Sequence, residues 1–211
     1  AEQEQLATLK SWWNQYGNIV TWVLIIVLGA YAAWAGWGAY QRSQATQAAQ
    51  LYEELQKAVA AQDKEKVQRA ATDMEAKFAG TAYAQMSALA AAKSAFDAND
   101  FKTAKAQLQW VIDKGNSQEY KAVAKVRLAG ILLDEKAYDE GLKVLAGEFP
   151  AQFANVVSDR KGDILVAQNK LDEARAAYQL ALEKTDAKNP ARQLIQIKLD
   201  AIGGAPAKKA A

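Results

Sequence analysis

The sequence predicts an all-α protein, with one N-terminal transmembrane helix followed by a solenoid of antiparallel helix pairs. Three observations support this fold class. No charged residue occurs between Lys10 and Arg42. The rest of the chain is rich in Ala, Leu, Gln, Lys and Glu, which favour helix, and the chain has only three prolines. A pattern of small and large apolar residues also recurs four times beyond residue 57.

Residues 19–40, IVTWVLIIVLGAYAAWAGWGAY, form the predicted transmembrane helix. A helix needs roughly 20 apolar residues to cross a bilayer, and it satisfies its own backbone hydrogen bonds in lipid. Aromatic side chains suited to the headgroup regions lie near both ends: Trp12, Trp13 and Tyr16, then Tyr31, Trp34, Trp37 and Tyr40. Small residues spaced by four, Gly29 with Ala33 and Ala32 with Gly36, suit either close packing with another helix or an Ala-rich lipid-facing surface.

A cleaved signal peptide is the alternative interpretation of this stretch. The motifs Ala30-Tyr31-Ala32 and Ala33-Trp34-Ala35 resemble cleavage sites. However, the apolar run is longer than a typical signal-peptide core, and Lys10 is the only cationic side chain before it. We therefore expect an uncleaved anchor.

The segments on either side of the anchor are predicted from their polarity. Residues 1–18 begin polar and then place apolar side chains at helical spacing, which indicates a short cytoplasmic or interfacial helix, with a frayed terminus as the alternative. After Tyr40 no Gly or Pro occurs before residue 62, so the helix is predicted to continue into the domain spanning residues 41–202. Residues 203–211, GGAPAKKAA, are predicted to be disordered.

The recurring pattern of the domain predicts helix pairs. The second helix of each pair is marked by Val67, Phe101, Tyr138 and Leu171, at separations of 34, 37 and 33 residues, and a small residue stands nine positions before each: Ala58, Ala92, Ala129 and Gly162. This period is typical of tetratricopeptide repeats, in which small residues let two helices approach. Tight turns are predicted at residues 99–100, 136–137 and 169–170, and the amphipathic stretch after Pro190 is predicted to cap the stack. An Ala-rich bundle without repeats is the alternative.

The side-chain inventory argues against catalysis. The sequence has no cysteine and no histidine, so it offers no disulfide, thiol nucleophile, imidazole base or imidazole metal ligand. We expect no cofactor, no metal and no enzyme activity, with a carboxylate-only hydrolase as the alternative. The net charge of +2, with Lys and Arg interleaved among Asp and Glu, predicts no nucleic-acid partner.

A binding surface is expected on the first helices of the pairs, which line the concave face of such a stack. The candidate protein-binding residues are Met86, Leu89, Phe96, Val123, Val126 and Leu133, preceded by Tyr52 and Leu55 and followed by an acidic end at Asp159 and Asp163. An apolar groove of this kind suits a partner helix or an apolar peptide. The alternative is that several of these side chains belong to the core between repeats, because periodicity does not separate the two.

The sequence also resembles a known family. The segment LKSWWNQYGN leads into the membrane helix, which ends GWGAYQRSQ, and the repeat domain closes with PARQLIQIKLDAI. This organisation, over nearly the whole chain, is similar to the YfgM family of ancillary subunits of the bacterial SecYEG translocon. The resemblance implies a single-pass type II protein of the bacterial inner membrane, with a cytoplasmic N-terminus and periplasmic repeats. It implies no catalytic residues.

The resemblance also implies partners and a role. The partners are the SecYEG translocon, a PpiD-like membrane-anchored periplasmic chaperone, exported client proteins and membrane lipid. The role is to help hand exported proteins to periplasmic chaperones. A scaffold for envelope assembly or cell division is the rival function. The charges themselves, Lys10 before the helix against Arg42 and Lys57 after it, slightly favour the reverse topology, although large domains translocate largely regardless of such a bias.

Overall fold

The protein consists of helices joined by turns and loops in the part that its computed structural model describes, residues 2–204, with side chains described from Lys10 onward. Nine helices follow one another within that range: α1 Glu2–Ala60, α2 Lys64–Phe78, α3 Ala82–Asp97, α4 Phe101–Lys114, α5 Gln118–Asp134, α6 Tyr138–Val144, α7 Ala154–Ala167, α8 Leu171–Lys184 and α9 Ala191–Ala201. A 3-10 turn, Ala151–Phe153, precedes α7. The predicted all-α fold class is confirmed. Most of the predicted disordered tail, residues 205–211, lies outside the described residues.

The chain divides into two compact units, residues 1–47 and 48–211. The first unit holds the apolar stretch of α1, which is the one helix in the described residues long and apolar enough to cross a membrane. Its side chains are exposed, including Trp22, Ile26 and Trp34. Large apolar side chains left open along a whole helix favour a lipid environment. The predicted continuation of the helix past Tyr40 is confirmed, since α1 extends to Ala60 without a break.

The second unit is built on one turn that recurs four times. Gln62, Asn99, Lys136 and Asn169 each adopt a left-handed backbone, with φ of 54°, 60°, 61° and 59°. In each case the next residue donates its N–H to the carbonyl five positions earlier, at 2.8–2.9 Å. This bond satisfies a carbonyl at the helix end and reverses the chain. The three predicted turns at residues 99–100, 136–137 and 169–170 are therefore confirmed, and a fourth precedes α2.

These turns correct the register of the first repeat. The helices α4, α6 and α8 begin two residues after the left-handed residue, so the equivalent start in the first repeat is Lys64, and the separations are 37, 37 and 33 residues. The prediction that Val67 marks this start is wrong by three positions. Val67 instead corresponds to Ala104, and fully buried Leu55 stands where the other repeats have a small residue. An apolar face recurs every three or four residues, so the same pattern fits at two registers.

Small residues bring the paired helices together, as predicted. Ala104 is fully buried against the core that α3, α4 and α5 share. Gly162 of α7 lies directly under the ring of Tyr178 of α8, and a Cβ on Gly162 would stand 2.3 Å from Cε1 of that ring. No side chain fits at that distance, so the fourth pair requires glycine at this contact.

A buried amide ties the second pair to the third. Gln85 is fully buried in α3, donates from Nε2 to Oδ1 of Asn116 at 2.5 Å, and accepts the N–H of Ser117 at 3.1 Å. Asn116 in turn donates to the carbonyl of Gly80 at 3.1 Å. These bonds satisfy polar groups that would otherwise be buried without partners, and they hold the α4–α5 loop over the start of α3.

Candidate functional site

The candidate site is a cleft of about 330 Å³ between the first helices of three successive pairs, called here the α3–α5–α7 cleft. It is lined by Ala92, Lys93, Phe96 and Asp97 of α3, Leu108 of α4, Arg127, Gly130, Ile131 and Asp134 of α5, and Arg160 of α7. The stacking of the pairs builds this cleft, because each repeat presents its first helix on the same face. Its lining is part apolar and part charged.

Phe96 is the aromatic side chain of the cleft. It lies in the last turn of α3, is 39% exposed, and packs against Phe101 with ring centroids 5.5 Å apart. The backbone is held by the turn that follows, where Asn99 donates its N–H to the carbonyl of Phe96 at 2.9 Å. The ring is therefore positioned by the repeat turn and remains open to a partner.

Two guanidinium groups face the cleft from neighbouring repeats. Arg127 donates to the carbonyl of Leu89 at 3.5 Å, and no carboxylate of residues 10–204 forms an ion pair with it. Arg160 approaches Oδ2 of Asp163 at 3.4 Å, while its Nε is buried and has no hydrogen-bond partner among the described residues. Gly130 lies beside Arg160, whose Cζ would be 3.5 Å from a Cβ built there.

The rim of the cleft carries charges that partly cancel. Lys93 and Asp97 form an ion pair at 2.6 Å, one turn apart on α3. Asp134 is exposed in the last turn of α5. The lining therefore holds three cationic and two anionic side chains, with one pair of opposite sign already joined.

The structure does not bring the six predicted binding residues together. Phe96 alone lines the cleft. Leu89 is buried in the core of α3, α4 and α5, where Val123 also packs, and Met86 is half-buried. Val126 and Leu133 pack on the core cluster of α5 and α7. Whether any of the six contacts a partner remains a prediction.

Two other predicted groove residues are also engaged in packing. Leu55 is fully buried between α1 and α2, so its expected place on an open groove is wrong. Tyr52 is half-buried, with its ring 5.5 Å from that of Tyr83. Both pack against the following repeat, Leu55 in a cluster with Ala91 of α3 and Tyr52 against Tyr83 of α3.

Sequence reasoning missed Arg127, Gly130 and Arg160, although the repeat register contains a signal for the two arginines. Each stands nine residues before a left-handed turn residue, Arg127 before Lys136 and Arg160 before Asn169. Equivalent positions of stacked repeats lie side by side. Two arginines at one repeat position therefore predict a local concentration of positive charge, once the turns define the register.

The acidic end predicted at Asp159 and Asp163 is not an open anionic patch. Lys198 of α9 lies 2.8 Å from a carboxylate oxygen of each, and the hydroxyl of Tyr178 donates to Asp163 at 2.9 Å. Burial raises the pKa of the Asp159 carboxyl, against the opposing effect of its bond to Lys198. Burial lowers the pKa of Lys198, but its hydrogen bonds to the two carboxylates outweigh this and raise the pKa overall. The cluster fastens α9 to α7 and α8.

Comparison with known proteins agrees with this architecture. The sequence profile of the tetratricopeptide repeat-like domain matches residues 10–204. A protein of Neisseria gonorrhoeae (strain ATCC 700825 / FA 1090) named "Ancillary SecYEG translocon subunit" is 30% identical over 202 residues, which cover 95% of this chain and 97% of that protein. The chain belongs to this family of ancillary SecYEG translocon subunits. The resemblance inferred from the sequence is confirmed.

Two further members of the family carry the same name. The protein of Escherichia coli (strain K12) is 26% identical over 199 residues, covering 94% of this chain and 95% of that protein. The protein of Haemophilus influenzae (strain ATCC 51907 / DSM 11121 / KW20 / Rd) is 27% identical over 181 residues, covering 82% and 88%. The similarity to family members thus spans the apolar helix as well as the repeats.

Proposed function

We propose that this protein is a non-enzymatic, membrane-anchored subunit that associates with the SecYEG translocon and binds proteins through its repeat domain. Family membership over 95% of the chain is the observation that carries this proposal. The exposed apolar stretch of α1 supports a membrane anchor, and the α3–α5–α7 cleft offers a surface for a peptide or helix. An anchor raises the effective concentration of the domain near any membrane-bound partner.

The finer parts of the proposal concern place and partners. The N-terminus lies in the cytoplasm, the single helix crosses the bacterial inner membrane, and the repeats lie in the periplasm. There the domain meets exported proteins and a PpiD-like membrane-anchored chaperone, and it helps pass the former to periplasmic chaperones. The resemblance to the family supports this assignment, and the size of the repeat domain is compatible with translocation against a weak charge bias.

Co-purification tests the association. The full chain, tagged at its C-terminus and extracted in mild detergent, is expected to retain SecY, SecE and SecG. A version lacking residues 1–40 is expected to lose them, because the anchor confines the protein to the bilayer. Envelope-assembly or division proteins in place of the translocon, with the full chain, would support the rival function and contradict this one.

Protease accessibility tests the topology. Added to spheroplasts, a protease is expected to digest residues 48–204 of the full chain. A cytoplasmic protein serves as the control for intact membranes. If the domain is protected in spheroplasts and digested only in inverted vesicles, the periplasmic assignment is wrong.

A further inference from the structure

The α3–α5–α7 cleft combines an exposed aromatic ring with two guanidinium groups, and this combination indicates the chemistry of its ligand. We propose that the cleft binds a peptide segment in which an acidic side chain stands beside a large apolar side chain. The inference rests on the proposed function, since it names the class of ligand for the protein-binding cleft.

Arg160 supplies the first half of the carboxylate site. A guanidinium has five N–H donors, and here one of them approaches Asp163 at 3.4 Å, beyond the usual range for a strong charge-assisted bond. Asp163 is itself occupied by Lys198 and by the hydroxyl of Tyr178. The Nε of Arg160 is buried and has no hydrogen-bond partner among the described residues. The side chain as a whole keeps 33% of its surface exposed, so a ligand carboxylate at the cleft wall would meet its exposed donors.

Arg127 supplies the second half, from the preceding repeat. Arg127 is exposed, and its hydrogen bond among the described residues is the 3.5 Å approach to the Leu89 carbonyl. Gly130 leaves room for the Arg160 guanidinium against the α5 backbone, since a Cβ built there would lie 3.5 Å from Cζ of Arg160. Two planar groups of fixed charge line one cleft, and guanidinium groups suit the recognition of a carboxylate.

The apolar half of the ligand is expected to pack on Phe96. The Phe96 ring is exposed in the cleft, and the side chains of Ala92, Leu108 and Ile131 continue the apolar lining beside it. The Lys93–Asp97 ion pair closes the rim without adding net charge. An apolar side chain placed here would leave water while the neighbouring carboxylate meets the arginines.

The architecture favours a side-chain carboxylate over a C-terminal one. All the residues that line the cleft lie within α3, α4, α5 and α7, where backbone N–H groups are used by the helices. Terminal carboxylates are characteristically captured by clusters of free backbone N–H groups. The cleft offers side-chain donors instead, and these can donate to the carboxylate of an acidic residue within a peptide.

Peptide binding by the full chain in detergent micelles tests the proposal. The probe is fluorescein-labelled Ala-Leu-Glu-Phe-Ala with an amidated C-terminus, followed by fluorescence anisotropy. We expect it to bind about tenfold more tightly than the same peptide with Gln in place of Glu, because a charge-assisted hydrogen bond is lost. The Gln peptide with a free C-terminus is the third probe. Equal binding of the Glu and Gln amides, no binding of the Glu peptide, or equally tight binding of the third probe would overturn the proposal.

Two cleft variants and one control variant test whether the preference for the Glu peptide over the Gln peptide depends on the arginines of the cleft. Arg160→Gln and Arg127→Gln are each expected to reduce the preference for Glu over Gln to less than about threefold. Arg69→Gln, an exposed arginine on α2 outside the cleft, is expected to preserve it. Arg127 is exposed, so its variant keeps the test decisive if Arg160→Gln fails to fold. Retention of the full preference by Arg127→Gln contradicts the proposal.

Translocon capture separates this inference from the proposed function. The SecYEG co-purification described above is repeated with each variant. If the Glu preference is absent while SecY co-purifies with the wild-type chain, the ligand class is wrong and the proposed function stands. If the preference is present and follows the arginines while SecY does not co-purify, the proposed association is wrong and the ligand class stands.

Discussion

Replacing Gly162 with alanine tests the packing of the fourth helix pair. The added Cβ would meet ring atoms of Tyr178 at 2.3, 2.5 and 2.9 Å, and contacts this short force the ring to move. Moving it also disturbs the 2.9 Å hydrogen bond from the Tyr178 hydroxyl to Asp163. Overpacking costs about 1–3 kcal/mol, while alanine gains about 1 kcal/mol over glycine in a helix.

The net effect is destabilising once the hydrogen bond is included. Loss of a bond to a charged group costs about 1.5–3 kcal/mol, so Gly162→Ala is expected to lower the free energy of unfolding by about 1.5–5 kcal/mol. At this domain size each 1 kcal/mol lowers Tm by about 2–4 °C. Scanning calorimetry of the full chain in detergent measures the shift.

Gly130→Ala is the matched control for this substitution. It is also a glycine within a first helix, but its added Cβ would lie 3.5 Å from Arg160, which is an ordinary contact. The helix-propensity gain should therefore appear alone, as a Tm equal to or above wild type. A Tm for Gly162→Ala that matches that of Gly130→Ala would refute the close approach of Tyr178 to Gly162.

Three further predictions address the repeat core, the α9 cluster and the groove. Ala104→Leu should lower the free energy of unfolding, measured by chemical denaturation, by about 1–3 kcal/mol. Ala106→Leu, on the exposed face of the same helix, should change that free energy by no more than about 0.5 kcal/mol, and equal effects of the two substitutions would contradict the register. Burial raises the pKa of the Tyr178 hydroxyl, so the folded chain keeps that proton to higher pH than the unfolded chain, and the stabilisation is fully present below pH about 10 and lost progressively as the pH rises further. Tyr178→Phe should therefore flatten the fall in Tm between pH 9 and 11, roughly, and an unchanged slope would contradict the burial of this hydroxyl. Leu133→Asp should lower the free energy of unfolding by at least about 2 kcal/mol because Leu133 packs on the core, whereas Phe96→Asp should lower it by only about 1 kcal/mol, the contribution of its aromatic pair. Equal shifts in Tm for the two variants would contradict the different placement of these residues.

Lys105 of α4 is a less suitable control for Ala104→Leu than Ala106. Lys105 is only partly exposed and pairs with Glu135 of α5 at 2.6 Å. Ala106 is the better control because it is exposed on the same helix.

Several features of the site follow from the sequence only after the turns are known. The sequence predicts Phe96 as a binding residue because it is apolar and lies on the face of a first helix, and Phe96 does line the cleft. Leu133 stands at the equivalent position of the next repeat, three residues before its turn, yet it packs on the core. Periodicity assigns both residues to one face, whereas packing against neighbouring elements decides which of them stays open.

The sequence by itself determined the elements of this protein. A long run without charge specifies the membrane-compatible helix, because few other structures tolerate it. Local chemistry specifies the starts of α3, α4 and α5, where Thr81, Asp100 and Ser117 each accept a backbone N–H of the following turn. These are short-range effects, and they can be read from neighbouring residues.

Tertiary structure decided the register of the first pair and the composition of the cleft. Leu55 takes the place of a small residue because its partner helix begins at Lys64, which only the folded turn at Gln62 reveals. Arg160 reaches Gly130 because α7 stacks beside α5, thirty residues away in sequence. Contacts between repeats depend on the volume of every intervening side chain, so packing rather than local pattern places the two arginines in one cleft.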